Sequence, residues 1–354
     1  MMVRRDIWVT TLIAVFFFLA TYGLFYMSTP YVIQKPGTAE DVGPMVQVIN
    51  PDVSEGSVLM LTTVRQMYPN WFMYVVAHFN SKWDIYEEKD IRPVGESRTD
   101  YNERQAIVML SSQSNALQAA YEAANIPYLL DYQGVVINRI IKGMPAEDVL
   151  WIGDVIVEFN GTTIARSEEI FEWVEGKKVG DKVKIGYKRN DELLYAELIL
   201  GDYALLPSAE GVVEKGLPEH PGLGISPVDL AEIRAVDESQ QVTIEVKDIG
   251  GPSAGLIFAM EIYDQLTPDD LTKGYRIAGT GTIIPNGTVG PIGGIKHKIV
   301  AAEREDADIF FVPVNNEKDA IARAEEFDIH MKIVPVTTIQ DALDYLRDIP
   351  ILTE

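Results

Sequence analysis

A serine at position 253 stands where a strand-like segment turns into an apolar helical segment. Residues 251–255 read Gly-Pro-Ser-Ala-Gly and match G-x-S-x-G, a pattern that exposes a serine hydroxyl on a strand-to-helix turn. Alternating apolar and polar residues over 242–246 predict the preceding strand. Serine is also a favoured helix N-cap, so capping alone explains the residue unless the chain supplies a base. Ser253 is therefore a candidate nucleophile whose interpretation depends on a second residue.

A lysine further along the chain is the candidate base. Residues 295–302 predict a helix, and helical spacing places Lys298 on one face with Ile295 and Ile299, whereas Lys296 faces away. A lysine on an apolar stripe commonly extends its ammonium to water. The functional alternative is that desolvation lowers the pKa of the lysine. A neutral amine could then accept the serine proton.

Composition narrows the classes of function. The chain has 354 residues, 47% of them hydrophobic, which predicts two or three folded domains. Its formal net charge of -23 disfavours nucleic acid as a partner, since phosphates would be repelled. The absence of cysteine removes disulfides, thiolate metal sites and a cysteine nucleophile. Four histidines without H-E-x-x-H spacing and the lack of G-x-x-x-x-G-K-[ST] lead us to expect no metal, no cofactor and no ATPase.

The N-terminal segment predicts a membrane anchor. Residues 7–27 contain no charged side chain and are long enough to cross a bilayer as a helix. Arg4 and Arg5 precede this segment, which places residues 1–6 in the cytoplasm. The segment is long for a cleaved signal peptide, and no A-x-A-like site follows it. We expect a single-pass protein of the cell membrane, with everything from about residue 28 outside the cytoplasm.

The remaining chain reads as a mixture of strands and helices, an α+β protein. Residues 28–55 are polar and rich in proline and glycine, and we interpret them as a stalk. Residues 56–64 have strand character, and residues 101–124 predict a helix. A smaller unit follows over residues 125–202, where strands alternate with one short helix over residues 167–174.

This smaller unit resembles a bacterial PDZ domain. The resemblance rests on GDVIVEFNG at residues 153–161 and on the helix after it. It implies that an extended C-terminal peptide is added to a sheet edge beside that helix. The alternative is a domain that only positions or gates its neighbour. The peptide groove would be formed by the loop at residues 128–132 and by the helix, with these residues in contact: Tyr128, Leu129, Leu130, Ile170, Phe171 and Val174.

The segments GGPSAGLIFAMEI, AGTGTI, VGPIGGIKHKIVAAE and DIFFVPVNNEKD, in that order, resemble the proteolytic domain of Lon-type Ser–Lys endopeptidases. The whole layout resembles the membrane-anchored, PDZ-containing Lon-like proteases of Gram-positive bacteria. The resemblance implies that Ser253 is the nucleophile, that Lys298 is the base and that the Thr280 hydroxyl orients the lysine amine. Two positions depart from many Lon proteases, which carry acidic residues where this chain has Gly250 and Thr282.

The resemblance also implies how the chain is divided. Residues 56–124 would form the first half of the protease domain, the PDZ domain would be inserted at 125–202, and residues 203–354 would carry the dyad. The turn formed by Gly251, Pro252 and Ala254 would place the oxyanion against backbone N–H groups at the helix start. The implied partners are peptide or protein substrates and the membrane. Lon relatives often assemble into rings, so a homo-oligomer is one of the alternatives.

These observations predict an ATP-independent, membrane-anchored serine endopeptidase acting outside the cytoplasm. One alternative is an α/β-hydrolase, whose order Ser, Asp/Glu, His could be completed by His330 after Asp328, although no HGGG-type loop precedes the serine. A second alternative is a non-catalytic, membrane-tethered PDZ adaptor with a degenerate protease fold.

Overall fold

The computed structural model describes residues 2–49, 51, 58–93, 95–206, 218–247, 249–268 and 270–352. The helices are α1 Met2–Tyr26, α2 Trp71–Ala77, α3 Glu88–Ile91, α4 Arg98–Ala123, α5 Ser167–Val174, α6 Gly255–Leu266, α7 Ile295–Glu303, α8 Glu317–Glu326 and α9 Ile339–Asp348. The strands are β1 Tyr31–Asp41, β2 Val46–Val48, β3 Val58–Met67, β4 Asp84–Glu87, β5 Tyr128–Ile140, β6 Val155–Phe159, β7 Thr162–Thr163, β8 Lys182–Arg189, β9 Glu192–Ile199, β10 Gly201–Asp202, β11 Pro221–Gly222, β12 Ile225–Ala235, β13 Val242–Ile244, β14 Arg276–Gly279, β15 Thr282–Ile283, β16 Val289–Gly290, β17 Ile309–Pro313 and β18 Lys332–Val336. This mixture confirms the α+β class.

The first of the two main six-stranded sheets has the strand order β18-β17-β14-β3-β1-β4. Its first four strands run parallel, and β1 and β4 add antiparallel pairs at the other side. Helices cover both faces, so the central strands are apolar on both sides. On β3, Leu59 and Leu61 pack in the core with α4, α6 and α9, while Met60 points into a second core with α7 and α8.

The segment expected to be a stalk is part of this sheet, which corrects the sequence-based interpretation. Strand β1 lies between β3 and β4, and Val32 and Ile33 are fully buried. Pro36 and Gly37 contributed to the composition that suggests a stalk, but they lie at a bulge in the β1–β3 pairing. A bulge leaves a residue out of the ladder, so proline and glycine are accommodated there.

The second main sheet has the order β12-β5-β6-β8-β9 and packs against α5. Strand β12 lies beyond residue 202, yet it pairs with β5 from Ile225 opposite Ile140 to Ala235 opposite Tyr128. Near one end, Val135 and Ile225 belong to the core of this sheet. At the other end, Ile233 and Ala235 belong to the core of the first sheet. The β5–β12 pair therefore joins two separate hydrophobic cores.

Helix α1 is the candidate membrane span. Its segment Trp8–Tyr26 has 19 residues with a mean hydropathy of 1.9 and is not buried by the rest of the chain. Within the described ranges it is the one helix long and apolar enough to cross a membrane. The length and hydropathy of this helix agree with the apolar N-terminal helix that the sequence predicts.

Glu261 is a buried carboxyl in α6, and its environment makes stability depend on pH. Burial raises the pKa of Glu261 to about 7, although the Gln265 amide donates a hydrogen bond to it at 2.6 Å. The native state keeps this proton after the unfolded chain has lost it near pH 4.5, so folding stability falls as pH rises from about 4.5 to about 7.

Glu261→Gln should remove the loss of folding stability that ionisation of the buried carboxyl causes. We expect its free energy of unfolding to exceed that of the parent chain by up to about 3 kcal/mol at pH 8 and to match it near pH 4.5. Denaturant unfolding followed by circular dichroism at both pH values would measure the difference. An equal gain at both pH values would show that the carboxyl does not titrate as described.

Candidate active site

Ser253 lies in the turn directly before α6, and its side chain does not cap the helix. The N-cap of α6 is Ala254, and no side chain caps the helix there. Gly251 has a φ of 92°, which a residue with a side chain adopts only with strain. A Cβ at Gly255 would meet the Ile283 side chain at 2.8 Å, so this glycine permits a close approach. Both glycines of G-x-S-x-G are thus required by the backbone of the turn.

Helix α4 holds the preceding part of the turn. The Ser112 hydroxyl donates to the Pro252 carbonyl at 3.0 Å. The Gly251 N–H donates to the Gln105 carbonyl at 2.9 Å. These contacts join α4 to the turn that carries Ser253 across a long separation in sequence.

Thr280 supports the serine and not the lysine. Its hydroxyl donates to the Ser253 carbonyl at 2.9 Å, and the Gly281 N–H donates to the same oxygen at 2.8 Å. The resemblance implied that this hydroxyl orients the lysine amine. In the structure, the Lys298 amine instead donates a hydrogen bond to the backbone carbonyl of Thr62 on β3. This corrects the expected hydrogen-bond partner of the amine.

Lys298 points from α7 to the serine. Its Nζ lies 3.0 Å from the Ser253 Oγ and also donates a hydrogen bond to the Thr62 carbonyl. The lysine is only 3% exposed, and desolvation lowers its pKa to about 7. Lys296 is exposed to solvent, as the helical spacing predicts. At neutral pH a substantial fraction of Lys298 is therefore a neutral amine beside the hydroxyl.

A cleft of about 910 Å³ opens over the dyad. Its walls come from distant parts of the chain: Gln34, Thr38 and Glu40 of β1, residues 61–66 of β3, five residues of α4, residues 246 and 249–254, and the start of α7. Sequence reasoning missed β1 and the Thr62 carbonyl. A backbone carbonyl leaves no residue-type signal, so only the tertiary structure identifies it.

A second, smaller apolar pocket lies against α5. Ile170, Phe171 and Val174 of α5 line this pocket. The other lining residues precede or begin β12, and they are Tyr203, Pro221, Gly222, Leu223, Ile225 and Pro227.

Tyr128, Leu129 and Leu130 do not line this pocket. They lie at the opposite end of the β5–β12 pair, where Tyr128 faces Ala235. The strand beside α5 is β12, which occupies an edge of the sheet. The sequence signal for this strand is Gly-Leu-Gly-Ile at residues 222–225, which lies beyond the expected PDZ bounds of 125–202.

The alternative serine hydrolase triad is not assembled. His330 is 88% exposed at its side chain, lies 3.9 Å from the equally exposed Asp328, and does not line the cleft. In the described part of the chain, no group of three or more histidine or acidic side chains could hold a metal ion.

Comparison with known proteins identifies the domain that carries the dyad. The Lon protease (S16) C-terminal proteolytic domain matches residues 243–347. The Lon protease of Aster yellows witches'-broom phytoplasma is 39% identical over 69 residues, and that of Geobacter metallireducens is 42% identical over 69 residues. Each alignment covers 20% of this chain and 8% of the relative. The chain therefore spans a small part of these curated relatives.

The PDZ domain family matches residues 107–200, beginning inside α4 and ending before β12. A crystal structure of the PDZ domain of an SdrC-like protein from Listeria monocytogenes is 35% identical and covers 28% of this chain and 90% of that one, with a TM-score of 0.22. Residues 243–347, which contain Ser253 and Lys298, thus match the proteolytic domain of the Lon (S16) proteases, and residues 107–200 of the same chain match a PDZ domain.

Proposed function

We propose that this chain is an ATP-independent, membrane-anchored endopeptidase that cleaves peptides or proteins outside the cytoplasm with a Ser253–Lys298 dyad. One observation carries the proposal: a buried lysine amine lies 3.0 Å from a serine oxygen at the base of an open cleft. Nucleophile and base within hydrogen-bond reach are the arrangement that covalent acyl transfer requires. A lysine with a pKa of about 7 is matched to proton transfer at neutral pH.

The proposed reaction begins with neutral Lys298. Its lone pair accepts the hydroxyl proton as the Ser253 Oγ attacks the scissile carbonyl, while the Thr62 carbonyl keeps the amine in place. The protonated lysine then donates this proton to the leaving amine, which breaks the peptide bond and leaves an acyl-enzyme. Water loses a proton to the same amine as it attacks the ester, and the lysine returns that proton to the Ser253 Oγ as the ester C–O bond breaks, which restores the serine and the neutral amine.

The negative charge that develops on the carbonyl oxygen needs hydrogen-bond donors. We propose that the backbone N–H groups of Ser253 and Ala254, at the positive end of α6, supply them, because Pro252 has no N–H and the Gly251 N–H donates to the Gln105 carbonyl. The hydrogen bonds from Thr280 and α4 support this role, because they fix the turn before substrate arrives. Donors fixed in advance do not have to reorganise during the reaction.

ATP independence is tested directly with the full chain in detergent or nanodiscs. We expect unfolded casein to be cleaved at the same rate with and without ATP, because the sequence contains no G-x-x-x-x-G-K-[ST] motif. Gel-based cleavage assays after treatment with apyrase would measure this. Cleavage that appears only when ATP is added would contradict the proposal.

We propose that the PDZ unit is an insertion in the protease domain and that β12 completes it. Its groove would lie between α5 and the free edge of β12, where an extended peptide can add as a further strand. The carboxyl end of the bound peptide would lie near residues 222–225, and the apolar pocket would accept the last side chain of the peptide. Because β12 continues into the protease core, a bound segment would run from the groove toward that domain.

Phe171→Asp is expected to weaken peptide binding at this groove by about tenfold or more, because it places a charge in the apolar pocket. The probe is a fluorescein-labelled decapeptide ending in valine with a free carboxylate, followed by fluorescence anisotropy with the full chain. Phe171→Leu is the matched control and should bind nearly as well as the parent. Equal binding by Phe171→Asp would place the peptide elsewhere.

A further inference from the structure

Helix α2 exposes an apolar face. Trp71, Phe72 and Val75 are each 40–50% exposed, and Phe79 in the turn after the helix is 86% exposed. Their spacing puts them on one side of the helix with His78, and none of these positions is acidic. The opposite side is anchored, since Ala77 is buried. An apolar stripe of this kind is unusual on a surface that faces only water.

This face begins where the candidate membrane span ends. The Asn70 side chain donates to the Phe25 carbonyl at 2.7 Å near the end of α1 and accepts from the Met73 N–H at 2.8 Å as the N-cap of α2. The rings of Phe25 and Phe72 stack with centroids 4.9 Å apart. The two helices are therefore held together where α1 ends and α2 starts.

We propose that α2 and Phe79 form a second membrane contact that lies in the interfacial layer of the bilayer crossed by α1. This inference rests on the proposed anchoring by α1. A helix of about 19 residues spans roughly the hydrocarbon thickness, so its outer end reaches the headgroup level. Trp71 and Phe72 then meet the same layer, and Trp is enriched at that depth. A helix that lies in the interface buries one apolar face in just this way.

The contact fixes the protease body relative to the membrane. The rings of Tyr74 on α2 and Tyr31 on β1 have centroids 4.7 Å apart, so the helix is packed against strand β1 of the first sheet. That strand also lines the cleft with Gln34 and Glu40. Strand rise limits their distance from Tyr31 to about 10 and 30 Å, so the cleft wall cannot be far from the bilayer. Membrane-proximal segments are the substrates that this placement favours.

The chain contains no cysteine, so single cysteines can be labelled selectively. The full chain is reconstituted into vesicles with NBD on Phe79→Cys, Leu12→Cys or Glu192→Cys. Leu12 lies in α1, and Glu192 is an exposed position in the PDZ unit. Doxyl groups placed shallow or deep in the lipid chains, and iodide in the water, serve as quenchers. Retained casein cleavage shows that each labelled variant is folded.

We expect the Phe79 label to be quenched at least twofold more by shallow doxyl lipid than the Glu192 label, and the Leu12 label to be quenched most by deep doxyl lipid. A Phe79 label quenched by iodide as strongly as the Glu192 label overturns the inference. A Phe79 label shielded from both lipid and iodide also overturns it, because protein then covers the face. An unquenched Leu12 label refutes the anchor and, with it, the α2 contact, whereas a quenched Leu12 label beside an unquenched Phe79 label refutes the α2 contact alone.

Discussion

Ser253→Ala and Lys298→Ala are each expected to lower the rate of peptide-bond cleavage by about four orders of magnitude or more. The first removes the oxygen that attacks the carbonyl, and the second removes the base 3.0 Å from that oxygen. Combining the two substitutions should cost little more than either alone, because the residues act as a unit. Initial rates on a fluorogenic casein substrate, measured with the full chain in nanodiscs, would test this.

Lys296→Ala is the matched control. Lys296 lies two residues from the base on the same helix, but it is exposed and does not line the cleft. Its loss should leave the rate within about twofold of the parent. If Lys296→Ala abolished cleavage while Lys298→Ala spared it, the assignment of the base would be wrong. Equal residual rates in all variants would indicate a contaminant and favour the non-catalytic adaptor.

Activity is expected to rise with pH and to level off above about pH 8. Lys298 must be neutral to accept the serine proton, and desolvation lowers its pKa to about 7. The lysine of the free enzyme is then mostly charged below this pH, so kcat/KM should fall about tenfold per pH unit, to roughly 1% of the plateau at pH 5. Rates on an uncharged fluorogenic peptide between pH 5 and 9 would give the midpoint.

Glu261 provides the control for this assignment, because its carboxyl also has a pKa raised to about 7. Glu261→Gln should change stability at alkaline pH and leave the midpoint of kcat/KM unchanged. A midpoint that disappears in Glu261→Gln would assign the profile to the carboxyl instead. A maximum near pH 5 in the parent chain would contradict a lysine base altogether.

The sequence by itself determined the parts of the site that depend on residue type. A serine between two glycines requires a special turn, and helical spacing distinguishes Lys298 from Lys296 without any coordinates. The apolar segment at residues 7–27 and the α+β class also follow from local patterns, since length and hydropathy are read along the chain. The helices around 101–124 and 295–302 were predicted for the same reason.

Tertiary structure decided what depends on long-range contacts. Strand β1 was mistaken for a stalk, because Pro36 and Gly37 look like a turn and only pairing with β3 makes them a bulge. The groove loop was placed at 128–132, because the strand beside α5 comes from residues 225–235, distant in sequence.

The lysine environment is the clearest case. Helical spacing predicted an apolar face, but the lowered pKa of Lys298 depends on complete burial against other elements. The Thr62 carbonyl that holds its amine belongs to a strand far away in the chain, and every residue has such a carbonyl. Residue identity therefore marked the dyad, whereas the fold supplied the desolvation and the backbone acceptor that suit the lysine to act as a base.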